Sequence, residues 1–94
     1  MSLAKQLDLQ MKKRGYDDSL MIFIWCAAKV NLDYKTIEID RYVADFLNTR
    51  YPDKHKDISK ETVGRIRREN QEHIDTVLKG DTSNFLEYSS WFTE

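Results

Sequence analysis

The sequence predicts an all-α domain of about four helices, and three observations predict it. One Pro and three Gly are too few turn formers for a sandwich or barrel of many short strands. Apolar residues recur at i, i+3 and i+4 rather than in alternation, which is the helical period. At 94 residues with 40% hydrophobic content, the chain is too apolar for a disordered tail and long enough for one domain around one core.

The first helix is expected over roughly Ser2 to Arg14. Leu3, Leu7 and Met11 form one stripe there, and Lys12, Lys13 and Arg14 followed by Gly15 make a favourable C-terminus. Asp17, Asp18 and Ser19 offer cap oxygens to a second helix running to about Leu32. Its block from Leu20 to Ala28 is apolar on all sides, so this helix is either surrounded by the others or also forms a dimer contact. Trp25 belongs to that core.

A third helix is expected from Glu38 or Asp40 to Thr49. Ile39, Val43, Phe46 and Leu47 recur at helical spacing, while Arg41, Asp45 and Asn48 face away. Tyr51-Pro52 ends it, and Asp53 to Asp57 reads as a polar loop. Ser59 caps a fourth helix carrying Val63, Ile66, Ile74 and Val77 inward as far as Gly80. Residues 1–80 thus form a helical domain. Residues 81–94 form an acidic, aromatic tail in which Phe85, Tyr88 and Phe92 mark a short docked helix. Trp91 and its neighbours would anchor a partner or fold back on the domain, and fold-back is expected because so small a core gains from extra cover.

Charge narrows the function classes. Fifteen Lys and Arg against sixteen Asp and Glu argue against a nonspecific nucleic-acid coat protein, which needs a basic excess. The charge is segregated, however. Lys54 to Arg68 carries six basic and two acidic residues, whereas Ile74 to Glu94 carries one basic and four acidic. The longest apolar run, Leu20 to Ala28, is nine residues against the ~20 of a membrane-spanning helix. No membrane association is expected. Cys26 cannot form an internal disulfide, which fits a reducing, cytoplasmic setting.

The stretch Ile58 to Asn70 carries the chemistry. On a helix at about 100° per residue, Val63 and Ile66 point one way, and Glu61, Gly64, Arg65, Arg68 and Glu72 point the other. Gly64 costs about 1 kcal/mol relative to Ala inside a helix, so on an outer face it suggests close approach of a body such as a phosphate backbone. Arg65 and Arg68 are suited to guanine edges or phosphates. The same residues form i, i+4 pairs, Glu61 with Arg65, Arg65 with Glu69 and Arg68 with Glu72, which is also how an ordinary solvated helix face is built.

The order of the apolar Leu20 to Trp25 helix, then Val43 to Leu47, then Ser59 to Arg68 resembles small helix-turn-helix proteins of phages and prophages. In those, a recognition helix of pattern Ser/Thr-x-x-Thr-Val/Ile-x-Arg-x-Arg-Arg ends the domain. The resemblance covers roughly Leu20 to Glu72, with a helix-turn-helix-like unit at about residues 38–79. It implies a sequence-specific duplex DNA-binding regulator that reads the major groove with the helix 59–73. Lys60, Glu61, Thr62, Gly64, Arg65 and Arg68 would face the groove, while Lys54, Lys56 and Arg50 hold phosphates. No alternating strand pair follows the fourth helix, so a wingless variant is implied. The connection from Arg50 to Ile58 is longer than the three or four residues of a tight helix-turn-helix. A small reader of this kind would dimerise through the second helix or the tail.

The alternative is a helical interaction module that docks on a host enzyme or assembly component through Phe85, Tyr88, Trp91 and Phe92. Catalysis, a metal and a cofactor are not expected. His55 and His73 have no partner at metal-ligand spacing, Asp53 and Asp57 flank a loop without the calcium-loop glycine, and no phosphate-cradling glycine loop is present.

Overall fold

A computed structural model describes residues 2–54 and 56–92, so the expectation of a surface histidine at His55 lies outside the described residues. The architecture is all-helical. Its elements are α1 (Leu3–Arg14), α2 (Asp18–Leu32), α3 (Thr36–Arg50), α4 (Lys60–Glu69), α5 (Gln71–Lys79) and a 3-10 helix, η1 (Ser83–Trp91). Among the described residues no helix is long and apolar enough to cross a membrane.

α2 is the hub. Asp17 caps it by accepting from the Leu20 N–H at 2.8 Å, and α3, α4, α5 and η1 all pack against it. Met21, Ile22 and Ile24 to Ala28 are buried around its circumference, so most of its all-round apolarity is covered by the other helices of the same chain. Burial pushes the Cys26 thiol up to about 11, which keeps it protonated and unreactive at neutral pH. The helix ends at Asp33, which takes the left-handed conformation at φ 54°, one that Asp tolerates better than most residues.

Three expectations about the elements are corrected. α3 starts at Thr36, a turn earlier than expected: Lys35 is extended at its N-cap, the Lys35 carbonyl accepts from the Ile39 N–H, and no side chain caps the first turn. The expected fourth helix is two helices, broken between Glu69 and Gln71. At the break Asn70 leaves helical geometry (φ -118°, ψ 19°) and donates its Nδ2 to the Ile66 carbonyl at 2.8 Å, while its own carbonyl accepts from Ile74 N–H. The bend lets Ile74 reach zero exposure against the core, with α5 packed on α2. Finally, Asn48 was expected to face away, but its amide clamps the backbone of Ile58, donating to the carbonyl at 2.8 Å and accepting from the N–H at 2.9 Å. That clamp seats the long connection between α3 and α4.

The tail folds back. Asn31 Nδ2 donates to the Phe85 carbonyl at 3.0 Å, Phe23 packs against Phe85 and edge-on against Tyr88, and Phe46 packs against Trp91 and Phe92. Phe85, Tyr88, Trp91 and Phe92 are all buried, so none is presented as the partner anchor expected of an interaction module. Residues 93–94 of the expected tail lie outside the described residues.

α1 is tied on by Ala4 and Met11, both buried, and by a polar cluster at the end of α3. Tyr51 donates its hydroxyl to Asp8, and Arg50 and Lys12 lie at 3.5 and 3.3 Å from the same carboxylate. Gly15, at φ 83°, closes the helix where Lys54 passes. A Cβ there would be strained and would meet the Lys54 side chain at 3.2 Å.

Two outcomes follow for stability. Trp91→Ala is expected to lower unfolding free energy by about 3 kcal/mol, because a buried ring system is removed from the core; urea unfolding at pH 7 measures it, and a loss below about 1 kcal/mol would mean that the tail is not part of the core. Burial raises the Asp8 carboxyl, but Tyr51, Lys12 and Arg50 outweigh it and hold it below its ordinary value. The stabilisation is therefore complete well above that value and is lost as the pH falls through the folded pKa. Asp8→Asn is expected to cost about 1 kcal/mol at pH 7, after discount for partial exposure, and progressively less as the pH is lowered through the acid range, read from the same urea midpoints.

Candidate nucleic-acid interface

The candidate surface is α4 and the connection leading into it. Ser59 caps the helix, with its Oγ accepting from the Thr62 N–H at 3.2 Å and lying 3.2 Å from Thr62 Oγ1. Thr62 is thus half-buried and spent on the cap. Val63 and Ile66 are buried on the inner side, as their spacing predicts.

What fixes α4 in place is a charged group inside the protein. Asp40, on α3, is 5% exposed and is the one buried polar or charged side chain among the described residues. Its Oδ1 accepts from Trp25 Nε1 and from Arg67 Nε, both at 2.8 Å, and its Oδ2 accepts from Arg67 Nη2 at 3.0 Å. The Arg67 side chain is 11% exposed. The relay continues outward, since Arg67 Nη1 donates to Gln71 Oε1 at 3.1 Å and Gln71 Nε2 donates to Asp75 Oδ1 at 2.9 Å. Four helices therefore meet on one side-chain chain. Sequence reasoning missed Asp40, although its spacing to Val43, Ala44 and Leu47 puts it on the buried stripe of α3.

Gly64 is explained by the same carboxylate, which corrects its expected place on the outer face. It is buried, and a Cβ there would lie 3.2 Å from Asp40 Oδ2 and 3.2 Å from Arg68 Nη1. The close approach that the glycine permits is made by the protein's own acid, not by a phosphate backbone.

The arginines of the motif are split in direction. Arg67 turns inward to Asp40, while Arg65 and Arg68 are exposed with Lys60 and Glu61. Arg65 pairs with Glu69 at 3.1 Å, both side chains being more than half exposed, a pair worth a few tenths of a kcal/mol and easily exchanged. The pairs Glu61 with Arg65 and Arg68 with Glu72 are not among the ion pairs of the described residues. Lys54 and Lys56 are exposed on the connection. Arg50, expected to hold a phosphate, is instead held by Asp8 and lies 4.7 Å above the Phe46 ring. Among the described residues no group of three or more His, Cys, Asp or Glu is placed to hold a metal.

Comparison with known proteins finds no family model that matches the chain, no curated protein that matches its sequence and no solved structure that matches its fold.

Removing Arg67 leaves a carboxylate buried without its countercharge, the costly way to break such a pair. Arg67→Met is expected to destabilise by about 3 kcal/mol, and the Asp40→Asn/Arg67→Met double variant by less than the two single losses added. Additive losses in chemical denaturation would mean that the two side chains are energetically independent.

Proposed function

We propose that this chain is a duplex DNA-binding regulator that enters the major groove with α4. The observation that carries the reading is the split of the Ser59 to Arg68 motif: Arg67 is locked inward to Asp40 while Lys60, Arg65 and Arg68 stand outward on a helix fixed from behind. Rigid backing of this kind is what base reading requires, because a side chain selects a base edge only if its backbone is held in register.

Size supports the reading too. An α-helix with its side chains is about 10–12 Å across and fits the ~12 Å wide major groove, and the ten residues of α4 would run about 15 Å within it. Arg50 and Arg67 are both held by carboxylates, and the exposed cations of this surface are Lys54, Lys56, Lys60, Arg65 and Arg68, with Arg65 in its exposed pair with Glu69. The whole chain is near neutral, so binding rests on a few contacts rather than on a general basic coat. The break at Asn70 confines the reading element to residues 60–69, shorter than the expected helix 59–73.

Fluorescence anisotropy of a labelled random duplex tests this. Four phosphate contacts predict an affinity loss of about two decades between ~50 and ~200 mM salt, and an Arg65→Ala/Arg68→Ala variant with unchanged circular dichroism is expected to lose most of the binding. On a selected site Arg68→Ala is expected to cost roughly 1 to 3 kcal/mol, and Lys56→Ala to weaken all sequences evenly. Absence of binding at the lower salt overturns the reading.

A further inference from the structure

Ile37 is the most exposed large hydrophobic side chain among the described residues, at 72%. It lies on the first turn of α3, one turn before Asp40, and so continues a buried stripe past the point where α4 covers it. Together with Lys60, Glu61, Gly64 and Arg68 it lines a groove whose floor is the Asp40–Arg67 pair. Gly64 is the gap in that wall. Between Lys60 and Arg68, each one turn away along α4, it contributes no side chain, so the Asp40 carboxylate and the Arg68 guanidinium come up to the helix backbone there and the groove stays shallow beside Ile37.

The groove therefore combines an exposed branched alkyl group with two cations, Lys60 and Arg68, and with one exposed carboxylate, Glu61, at its rim. Neither Lys60 nor Arg68 has an ion pair or side-chain hydrogen bond to the described residues. A partner that complements it must offer acceptors or negative charge next to a small apolar group. In the major groove one base presents such a group, the thymine with its C5-methyl, and a neighbouring guanine presents O6 and N7 to an arginine. We propose, resting on the DNA-binding reading above, that Ile37 is a specificity-determining residue that packs on a thymine methyl next to a base held by Arg68. α3 would then contribute to sequence selection as well as to the support of α4.

The chemistry fixes the test, because deoxyuridine differs from thymidine by that methyl alone. Duplexes enriched from a random pool by the wild-type chain are compared with those enriched by Ile37→Ala, whose truncation is at an exposed position. Each thymine of the best wild-type duplex is then replaced singly by deoxyuridine. At one position the wild type is expected to lose about fourfold in affinity, the fold-change one buried methyl contributes, and Ile37→Ala less than twofold at that position. Its enriched pool is expected to have lost the preference for thymine there. Equal losses in both proteins, or enrichment with no thymine preference, overturns the role of Ile37 and leaves DNA binding standing. Salt-sensitive binding without any enrichment does the same. No binding of the pool at ~50 mM salt overturns both.

Discussion

The carboxylate of Asp40 is the constraint on which the arrangement of helices depends. An isolated buried charge is expensive, and this one is made tolerable by three hydrogen bonds from two partners, Trp25 on α2 and Arg67 on α4. Each partner is thereby fixed in direction as well as in distance. The indole nitrogen, which would otherwise be a buried donor without an acceptor, faces α3, and the guanidinium fork faces inward from α4. Hydrophobic packing of Val63 and Ile66 would hold α4 against the core over a range of rotations. The bidentate contact selects one rotation, since only one presents the fork to the acid.

Several otherwise separate features follow from that selection. Gly64 sits where a side chain would press on the acid. Gln71 extends the network to Asp75 and so couples α5 to the same centre. The bend at Asn70 lets α4 obey the acid while α5 obeys the apolar demand of Ile74 and α2. At the other end the Asn48 clamp on Ile58 keeps the long connection from adding slack to the start of α4. Under the proposed function these are the supports of a reading element, and the outward cations are its working side. The aromatic tail belongs to the support as well, because its rings pack on Phe23 of α2 and Phe46 of α3.

The all-helical class was legible from composition and period alone, and so were the inward positions of Val63, Ile66 and Ile74, the Asp17 and Ser59 caps, the Gly15 stop and the burial of Trp25 and Cys26. These are decided within a few residues, by the helical repeat, by cap chemistry and by the rarity of turn formers. The break at Asn70 was not legible. Residues 59 to 79 keep an adequate helical period across it, and only the competing positions of the Asp40 acid and the α2 surface separate them. The roles of Asn48 and Arg50 were hidden for a related reason: a polar residue at an outward phase reads as solvated until a loop backbone or an acid from another helix is placed beside it.

Sequence by itself determined that the chain would form helices, where most of them begin and end, and that a basic segment would stand apart from an acidic tail. It determined, too, that one helix would carry several arginines. Tertiary structure decided which of those arginines is a structural ion and which are presented to solvent. The physical reason is that Arg65, Arg67 and Arg68 have the same chemistry and differ only in phase around α4. Phase acquires meaning when Asp40, 27 positions earlier than Arg67, is brought by the packing of α3 to within hydrogen-bond reach of one of them.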